Sequence, residues 1–171
     1  MIEKDISLLE IVTFGNPVLK KKAEKIQNID QEIERLAKQM MHTMHAAPGI
    51  GLAAPQINRS IQLITIDISV GENTQDQIIL INPEIISQEG EDIMEEGCLS
   101  VPDVNEKITR PYRTVVRGTD LEGNEHIIEG EGLLSRVLCH EIDHLNGKLI
   151  LDHLSPLKRS LLKKKLRKQS G

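Results

Sequence analysis

Residues 131 to 146 constrain this fold most, because they predict a buried helix that also carries charged groups. Apolar residues surround the motif His140-Glu141-Ile142-Asp143-His144, and Asn146-Gly147 follows as a helix C-terminal signal. Buried imidazole and carboxylate groups need polar partners, and an apolar helix needs other elements packed around it. The helix is therefore expected at the centre of the fold.

Two further helices are expected on either side of this one in the sequence. Residues 30 to 46 predict an N-terminal helix, with Asp30 as its N-cap and apolar residues at i, i+3, i+4 and i+7 spacing. A C-terminal helix is expected from about 156 to 168. One stripe of that helix should pack on the body, and its members are Leu157, Leu161, Leu162 and Leu166.

The strand signals indicate antiparallel β-sheets. Residues 61 to 68 and 78 to 86 predict strands, and Pro83 should place the second strand at an edge or interrupt it. A β-hairpin is expected around Glu122-Gly123-Asn124. The segment GIGLAAPQ (49–56) predicts a loop. The segment MEEGCLSVP (94–102) predicts a turn-rich stretch after a short strand. The prediction is an α+β fold, with antiparallel β-sheets packed around the central HExxH helix.

Aromatic residues are almost absent, since only Phe14 and Tyr112 occur among 171 residues. We expect one domain over residues 1–171, whose core must consist of Ile, Leu, Val and Met. Binding of single-stranded nucleic acid or sugars by stacking is disfavoured, because such sites use aromatic platforms.

The net charge of −5 is distributed unevenly along the chain. Residues 158 to 168 hold seven basic and no acidic residues, which leaves 14 basic against 26 acidic residues elsewhere. A basic tail on an acidic body suggests one local anionic contact and argues against sequence-specific nucleic-acid binding. With two cysteines, no apolar run of membrane-spanning length and no signal-peptide pattern, we expect a cytoplasmic protein without membrane contact.

The histidine pair of the central helix predicts a metal site. At i, i+4 spacing, His140 and His144 lie on one helix face and can reach one ion. Glu141 lies beside them, placed to act on a metal-bound water and not as a ligand. Two surface histidines beside a solvated glutamate are the plainer interpretation, which the apolar surroundings disfavour.

A catalytic site of this kind needs a third protein ligand. No glutamate follows Glu141 and His153 is the only later histidine, so the third ligand should lie upstream. The upstream candidates are Cys98, His126, His42 and His45. Cys98 is the best of them, because a thiolate is a strong soft ligand and Gly97 makes the backbone tight there. An equally common role for a free cysteine is that of a small buried hydrophobe.

Three motifs in order, GIGLAAPQ (49–56), EGCLS (96–100) and HEIDH (140–144), resemble the bacterial peptide deformylases of the shorter, type I form. The resemblance runs from about Leu8 to Arg167. It implies a metallohydrolase that removes the formyl group from the N-terminal formyl-methionine of newly made polypeptides and releases formate.

The resemblance also implies roles for individual residues. The metal ligands would be Cys98, His140 and His144, with water as the fourth. One divalent ion would be bound, natively Fe²⁺, with Zn²⁺ or Ni²⁺ as substitutes. Glu141 would act as general base and then as general acid, while the Gln56 amide and the Leu99 backbone N–H would stabilise the oxyanion.

Substrate contacts are expected around the metal. An extended peptide would pair with the backbone of Ile50 and Gly51 by β-strand addition, and Gly97 would belong to the same site. Leu133 and Val137, at −7 and −3 from the first histidine, would form with Ile50 an apolar slot for the methionine side chain. Expected partners are formyl-methionyl nascent peptides and, through the basic C-terminal helix, the phosphate-rich ribosome. A solvated terminal helix without a partner is the equally open alternative, because charge runs usually face solvent.

Two positions depart from the family pattern, and two other functions compete. Asp103 stands where members often have Gly, and Cys139 where many have Gln; neither is a ligand. An HExxH protease acting on internal peptide bonds is disfavoured by the missing downstream ligand. A non-catalytic, closed metal site would need a fourth protein ligand such as His126.

Overall fold

Seven strands in two antiparallel sheets surround one helix in this computed structural model, which describes residues 7–170. The strands are β1 (Gly51–Ala53), β2 (Leu63–Ile66), β3 (Ile78–Glu89), β4 (Asp92–Cys98), β5 (Val101–Arg110), β6 (Arg113–Thr119) and β7 (Glu125–Glu131). The larger sheet has the order β1-β2-β3-β6-β7, and β4 and β5 form the smaller one. Residues 1–6, where we expect no signal peptide, and residue 171 lie outside the described residues.

All three expected helices are present. The first, α1 (Gln31–Ala46), begins where the Asp30 carboxylate accepts the Ile33 backbone N–H at 3.0 Å. The central helix α2 (Leu133–Leu145) ends before Gly147, whose φ of 73° suits glycine. The last is α3 (Pro156–Ser170). No helix among residues 7–170 has the length and apolar character needed to cross a membrane.

The central position of α2 follows from its apolar face. Its core-facing residues pack with those of β2, β3 and β6, and this cluster includes Ile64, Ile66, Leu80, Val116, Val137, Leu138, Ile142 and Leu145. A second cluster joins α1 to the larger sheet through its three methionines, Met40, Met41 and Met44. The predicted α+β class, with antiparallel sheets around the HExxH helix, is confirmed.

Two segments contain strands that the sequence did not reveal. Residues 49–56, expected to be a loop, contain β1, which pairs with β2 in the register Gly51↔Ile66. The expected turn-rich segment at 94–102 is instead the end of one long hairpin, in which β5 continues for ten residues. The buried apolar residues of β5 are separated by two or three exposed or half-buried residues, so the alternation typical of a strand is hidden.

Pro83 interrupts a central strand and does not mark an edge. Strand β3 lies between β2 and β6, and its pairing with β6 shifts register between Ile81 and Glu84. Asn82 adopts φ 52° at this bulge, and its side chain forms two 2.9 Å hydrogen bonds with the Ile26 backbone. The bulge therefore anchors the N-terminal segment to the sheet.

Only half of the expected leucine stripe of α3 packs on the body. Leu166 is 4% exposed and Leu162 is half-buried, whereas Leu157 and Leu161 are 72% and 60% exposed. The four leucines form two i, i+4 rows that differ by about 140° around the helix, so one row faces the body and the other faces solvent.

Candidate metal centre and active site

Three candidate ligand atoms meet at the end of the smaller sheet. Nε2 of His144 lies 3.2 Å from Nε2 of His140 and 3.4 Å from Sγ of Cys98. All three atoms lie within 4.8 Å of one another, and the residues are buried or half-buried. The two histidines come from the C-terminal half of α2, and Cys98 is the last residue of β4, where the hairpin turns.

The other candidate ligands lie elsewhere. His42 is exposed on α1, and Nε2 of His45 lies 2.6 Å from Asp67. His126 is on β7, where its Nε2 contacts the Asp120 carboxylate. Among the described residues, no second group of three His, Cys, Asp or Glu side chains is arranged to hold an ion.

Glu96 orients the first histidine. Its Oε2 accepts the Nδ1–H of His140 at 2.7 Å, which leaves the lone pair of Nε2 directed at the other two ligand atoms. Arg110 binds the same carboxylate through two hydrogen bonds, and Arg136 through one at 3.0 Å. Burial alone would raise the pKa of Glu96, but its bonds to His140 and Arg110 hold that pKa well below its usual range.

The donor set fits a divalent metal ion. Burial by itself would raise the pKa of the Cys98 thiol, but the neighbouring imidazoles, first His144 and then His140, lower it to about 5. The sulfur is therefore a thiolate at neutral pH, which is the form that binds metals. One thiolate and two imidazole nitrogens converging on one point match a three-ligand site with an open position.

Glu141 has the environment of a general base. It is 3% exposed, and its Oε1 has no hydrogen-bond partner among residues 7–170. Burial raises the pKa of this carboxyl group. A carboxylate with a raised pKa accepts protons more readily near neutral pH.

Gln56 is held in one orientation. Its Oε1 accepts the Ala53 backbone N–H at 3.0 Å, so its Nε2 faces the metal centre. There the Nε2 donates to Oγ of Ser100 at 3.1 Å and lies 3.8 Å from Sγ of Cys98. The amide N–H group is thus placed beside the candidate ligands.

A cavity of about 360 Å³ opens onto this centre. The expected site residues that line it are Ile50, Gly51, Gln56, Gly97, Cys98, Leu99, Val137, His140 and Glu141. Leu133 is not among the lining residues; it is 42% exposed at the first residue of α2. Asp103 also lines the cavity and adopts φ 63°, a left-handed conformation that explains why glycine suits this position.

Comparison with known proteins agrees with this geometry. Residues 8–160 match the family model described as polypeptide deformylase. The chain is 49% identical over 162 residues to the peptide deformylase of Thermodesulfovibrio yellowstonii, covering 95% of this chain and 98% of that protein. The chain belongs to the polypeptide deformylase family. Deformylases remove the formyl group from the N-terminal methionine of new polypeptides, and this is the reaction of this enzyme.

Solved structures of the family share the fold closely. The crystal structure of a peptide deformylase from Legionella pneumophila matches with a TM-score of 0.90 and 43% identity, covering 96% of both chains. The peptide deformylase from Ehrlichia chaffeensis matches with a TM-score of 0.86 and 38% identity, covering 96% of this chain and 98% of that one.

Sequence reasoning missed Glu96 and its two arginines. Glu96 stands inside the EGCLS motif, but its partners Arg110 and Arg136 are 14 and 40 residues away. The available signal was indirect: a buried histidine that binds a metal needs an acceptor for its second nitrogen, and the carboxylate two residues before the candidate cysteine ligand was one candidate.

Gly51 leaves the space that Glu141 occupies, which gives a test of the site. A Cβ at residue 51 would overlap the Glu141 carboxylate and lie 2.8 Å from Cγ1 of Val137. We expect Gly51→Ala to displace the carboxylate and lower kcat/KM about 100-fold, as loss of a general base does. Formate release measures the effect, and unchanged metal content is the control. Full activity of this variant would contradict the assigned position of the base.

Proposed function

We propose that the enzyme hydrolyses formyl-methionyl peptides in the cavity beside Glu141, with Cys98, His140 and His144 as the ligands of one divalent metal ion. The observation that carries this proposal is the convergence of a thiolate and two imidazoles beside a buried carboxylate at one end of an open cavity. Bound there, the ion would supply Lewis-acid chemistry toward water and the formyl carbonyl.

Glu141 moves the proton. Its carboxylate accepts a proton from the attacking water, and the resulting acid donates it to the nitrogen of the departing amine. The formyl C–N bond breaks, and the products are formate and a free methionine amine. The raised pKa of Glu141 suits both steps, in which it first accepts the proton from water and then donates it to the amine.

Two N–H donors face the developing negative charge on the formyl oxygen. One is Nε2 of Gln56, which the Ala53 N–H holds in the required orientation. The other is the backbone N–H of Leu99, in the turn between β4 and β5. A single donor of this kind typically contributes about 2.7–4 kcal/mol to transition-state stabilisation.

The substrate binds as an added strand. Among the described residues, β1 is an edge strand of the larger sheet. The Ile50 carbonyl faces inward, since it accepts the Asp67 N–H at 2.9 Å. Because successive residues of a strand direct their backbone groups to opposite sides, the N–H and C=O of Gly51 face the open edge. Beside that edge, Ile50 and Val137 line the cavity and suit an unbranched methionine side chain.

Conversion of the base to its amide tests the mechanism. We expect Glu141→Gln to lower kcat by about 100- to 10,000-fold while the protein stays loaded with metal, because the amide cannot accept the proton. Formate release from a formyl-methionyl peptide is the assay, and Glu91→Gln, at an exposed glutamate, is the matched control. Near-normal turnover of Glu141→Gln would refute the assignment, and casein cleavage without formate release would favour a protease.

The native ion is proposed to be Fe²⁺. A thiolate and two imidazoles accept iron, zinc or nickel, and resemblance to the family favours iron. Iron beside a thiolate promotes oxidation of Cys98, which would remove one ligand. We expect the Fe²⁺ form to lose activity in air faster than the Ni²⁺ form, with oxidised Cys98 detected by mass spectrometry. Equal lifetimes in air would count against this.

We also propose that the basic helix α3 contacts ribosomes and that the enzyme works in the cytoplasm, where nascent chains carry formyl groups. Lys164, Lys165 and Lys168 are exposed on this helix. Two of its other cations are engaged, since Lys158 pairs with Glu106 and Arg159 donates to backbone carbonyls. Weak binding to RNA phosphate through exposed lysines would depend strongly on salt.

Neutralisation of these lysines tests the contact. We expect the triple variant with Lys164, Lys165 and Lys168 changed to Gln to cosediment with ribosomes less than the unmodified enzyme at low salt. Hydrolysis of a short formyl-peptide should be unchanged. The control changes Lys21, Lys22 and Lys25, exposed lysines outside α3, by the same total charge. Equal ribosome binding by both triple variants would remove any special role for α3.

A further inference from the structure

A chain of polar contacts runs from the buried candidate metal centre to the exposed segment before α3. We call it the ion-pair chain, and its members in order are His140, Glu96, Arg110, Asp143 and His153. Nη1 of Arg110 donates to Oδ2 of Asp143 at 2.7 Å, while the Nε and Nη2 of the same guanidinium hold Glu96. Nε2 of His153 lies 2.7 Å from Oδ2 of Asp143.

We propose that Asp143 and Arg110 are positioning residues that fix the His140 imidazole through Glu96, with His153 as the outer end of the ion-pair chain. The inference rests on the ligand set proposed above. It assigns a role to the fourth residue of the HEIDH motif, which carries no ligand atom and does not line the cavity.

The geometry of Arg110 supports this role. Its guanidinium is 4% exposed and uses one edge for Glu96 and the remaining nitrogen for Asp143. A planar guanidinium held at both sides cannot rotate, so the Glu96 carboxylate is presented to His140 in one orientation. Without Asp143, Arg110 would keep its charge but lose the contact that fixes its plane.

The two histidine ligands differ in how they are held. Nδ1 of His140 is bound by Glu96, whereas Nδ1 of His144 is buried without a hydrogen-bond partner among residues 7–170. The protein therefore anchors the ligand cluster mainly through His140. A change in any residue of the ion-pair chain should therefore affect metal binding by changing the orientation of the His140 ring.

The Asp143–His153 pair has a matched counterpart away from the site. His126 and Asp120 form the same type of contact at the end of the β6–β7 hairpin, where Asp120 also accepts the backbone N–H groups of Glu122 and Asn124. Asp120→Asn and His126→Gln are therefore controls for Asp143→Asn and His153→Gln. Each pair of variants makes the same chemical change, once inside and once outside the ion-pair chain.

The experiment measures Co²⁺ binding to metal-free protein by chelator competition, together with the visible spectrum of the Co²⁺ form. We expect Asp143→Asn to weaken Co²⁺ binding about tenfold, the lower end of the range for groups that orient ligands, and to alter the spectrum. His153→Gln should act in the same direction with a smaller effect. Both control variants should match the unmodified protein.

Arg110→Lys separates orientation from charge. Lysine keeps the positive charge but cannot hold two carboxylates in a fixed plane, so the spectrum should change as it does in Asp143→Asn. Circular dichroism shows whether Arg110→Lys and Asp143→Asn fold. If either fails to fold, the comparison of the surface variant His153→Gln with its control His126→Gln tests the proposal.

Unchanged affinity and an unchanged spectrum in the folded variants of the ion-pair chain would overturn the positioning role. His144→Ala distinguishes this from failure of the proposed ligand set. If His144→Ala abolishes Co²⁺ binding while Asp143→Asn has no effect, the ligands are right and the positioning role is wrong. If His144→Ala binds Co²⁺ normally, the ligand set itself is wrong, and the positioning role fails with it.

Discussion

The hydrogen bond from Nδ1–H of His140 to Glu96 joins the central helix to the smaller sheet, and the site depends on it. Glu96 belongs to β4 and His140 to α2, so this 2.7 Å contact connects elements 44 residues apart. Two residues after Glu96, the same strand supplies Cys98. The position of the hairpin against α2 therefore sets both the place of the proposed third ligand and the orientation of the first histidine.

Because Glu96 is buried, its carboxylate must be paired with positive charge. A carboxylate with 7% exposure is stable only when its charge is compensated, and Arg110 and Arg136 provide that compensation from β5 and α2. Removal of either arginine would leave the buried carboxylate less well compensated, which would destabilise the fold. The same contacts therefore hold the hairpin in place and keep Glu96 ionised to receive the histidine N–H.

What the sequence predicted well is local in character. The bounds of α1 and α2 followed from apolar periodicity and from capping residues, which depend only on neighbours along the chain. Strand β1 and the length of β5 were missed, because both depend on pairing across the sheet. Leu133 illustrates an intermediate case: it shares a face with His140, but seven residues place it about 10 Å along the axis, at the exposed end of α2.

The absence of a side chain at Gly51 lets the Glu141 carboxylate, the proposed base, lie directly against the strand edge proposed to bind the substrate. Strand β1 packs on α2, so a residue at this position faces Glu141 and Val137 above the strand, while its backbone N–H and C=O lie in the plane of the sheet. With glycine there, the carboxylate approaches the strand directly, and a peptide added at the edge would lie next to it. A larger side chain would separate the two. The tight packing of β1 against α2, which buries the central helix, would therefore also bring an extended peptide within reach of the proposed base.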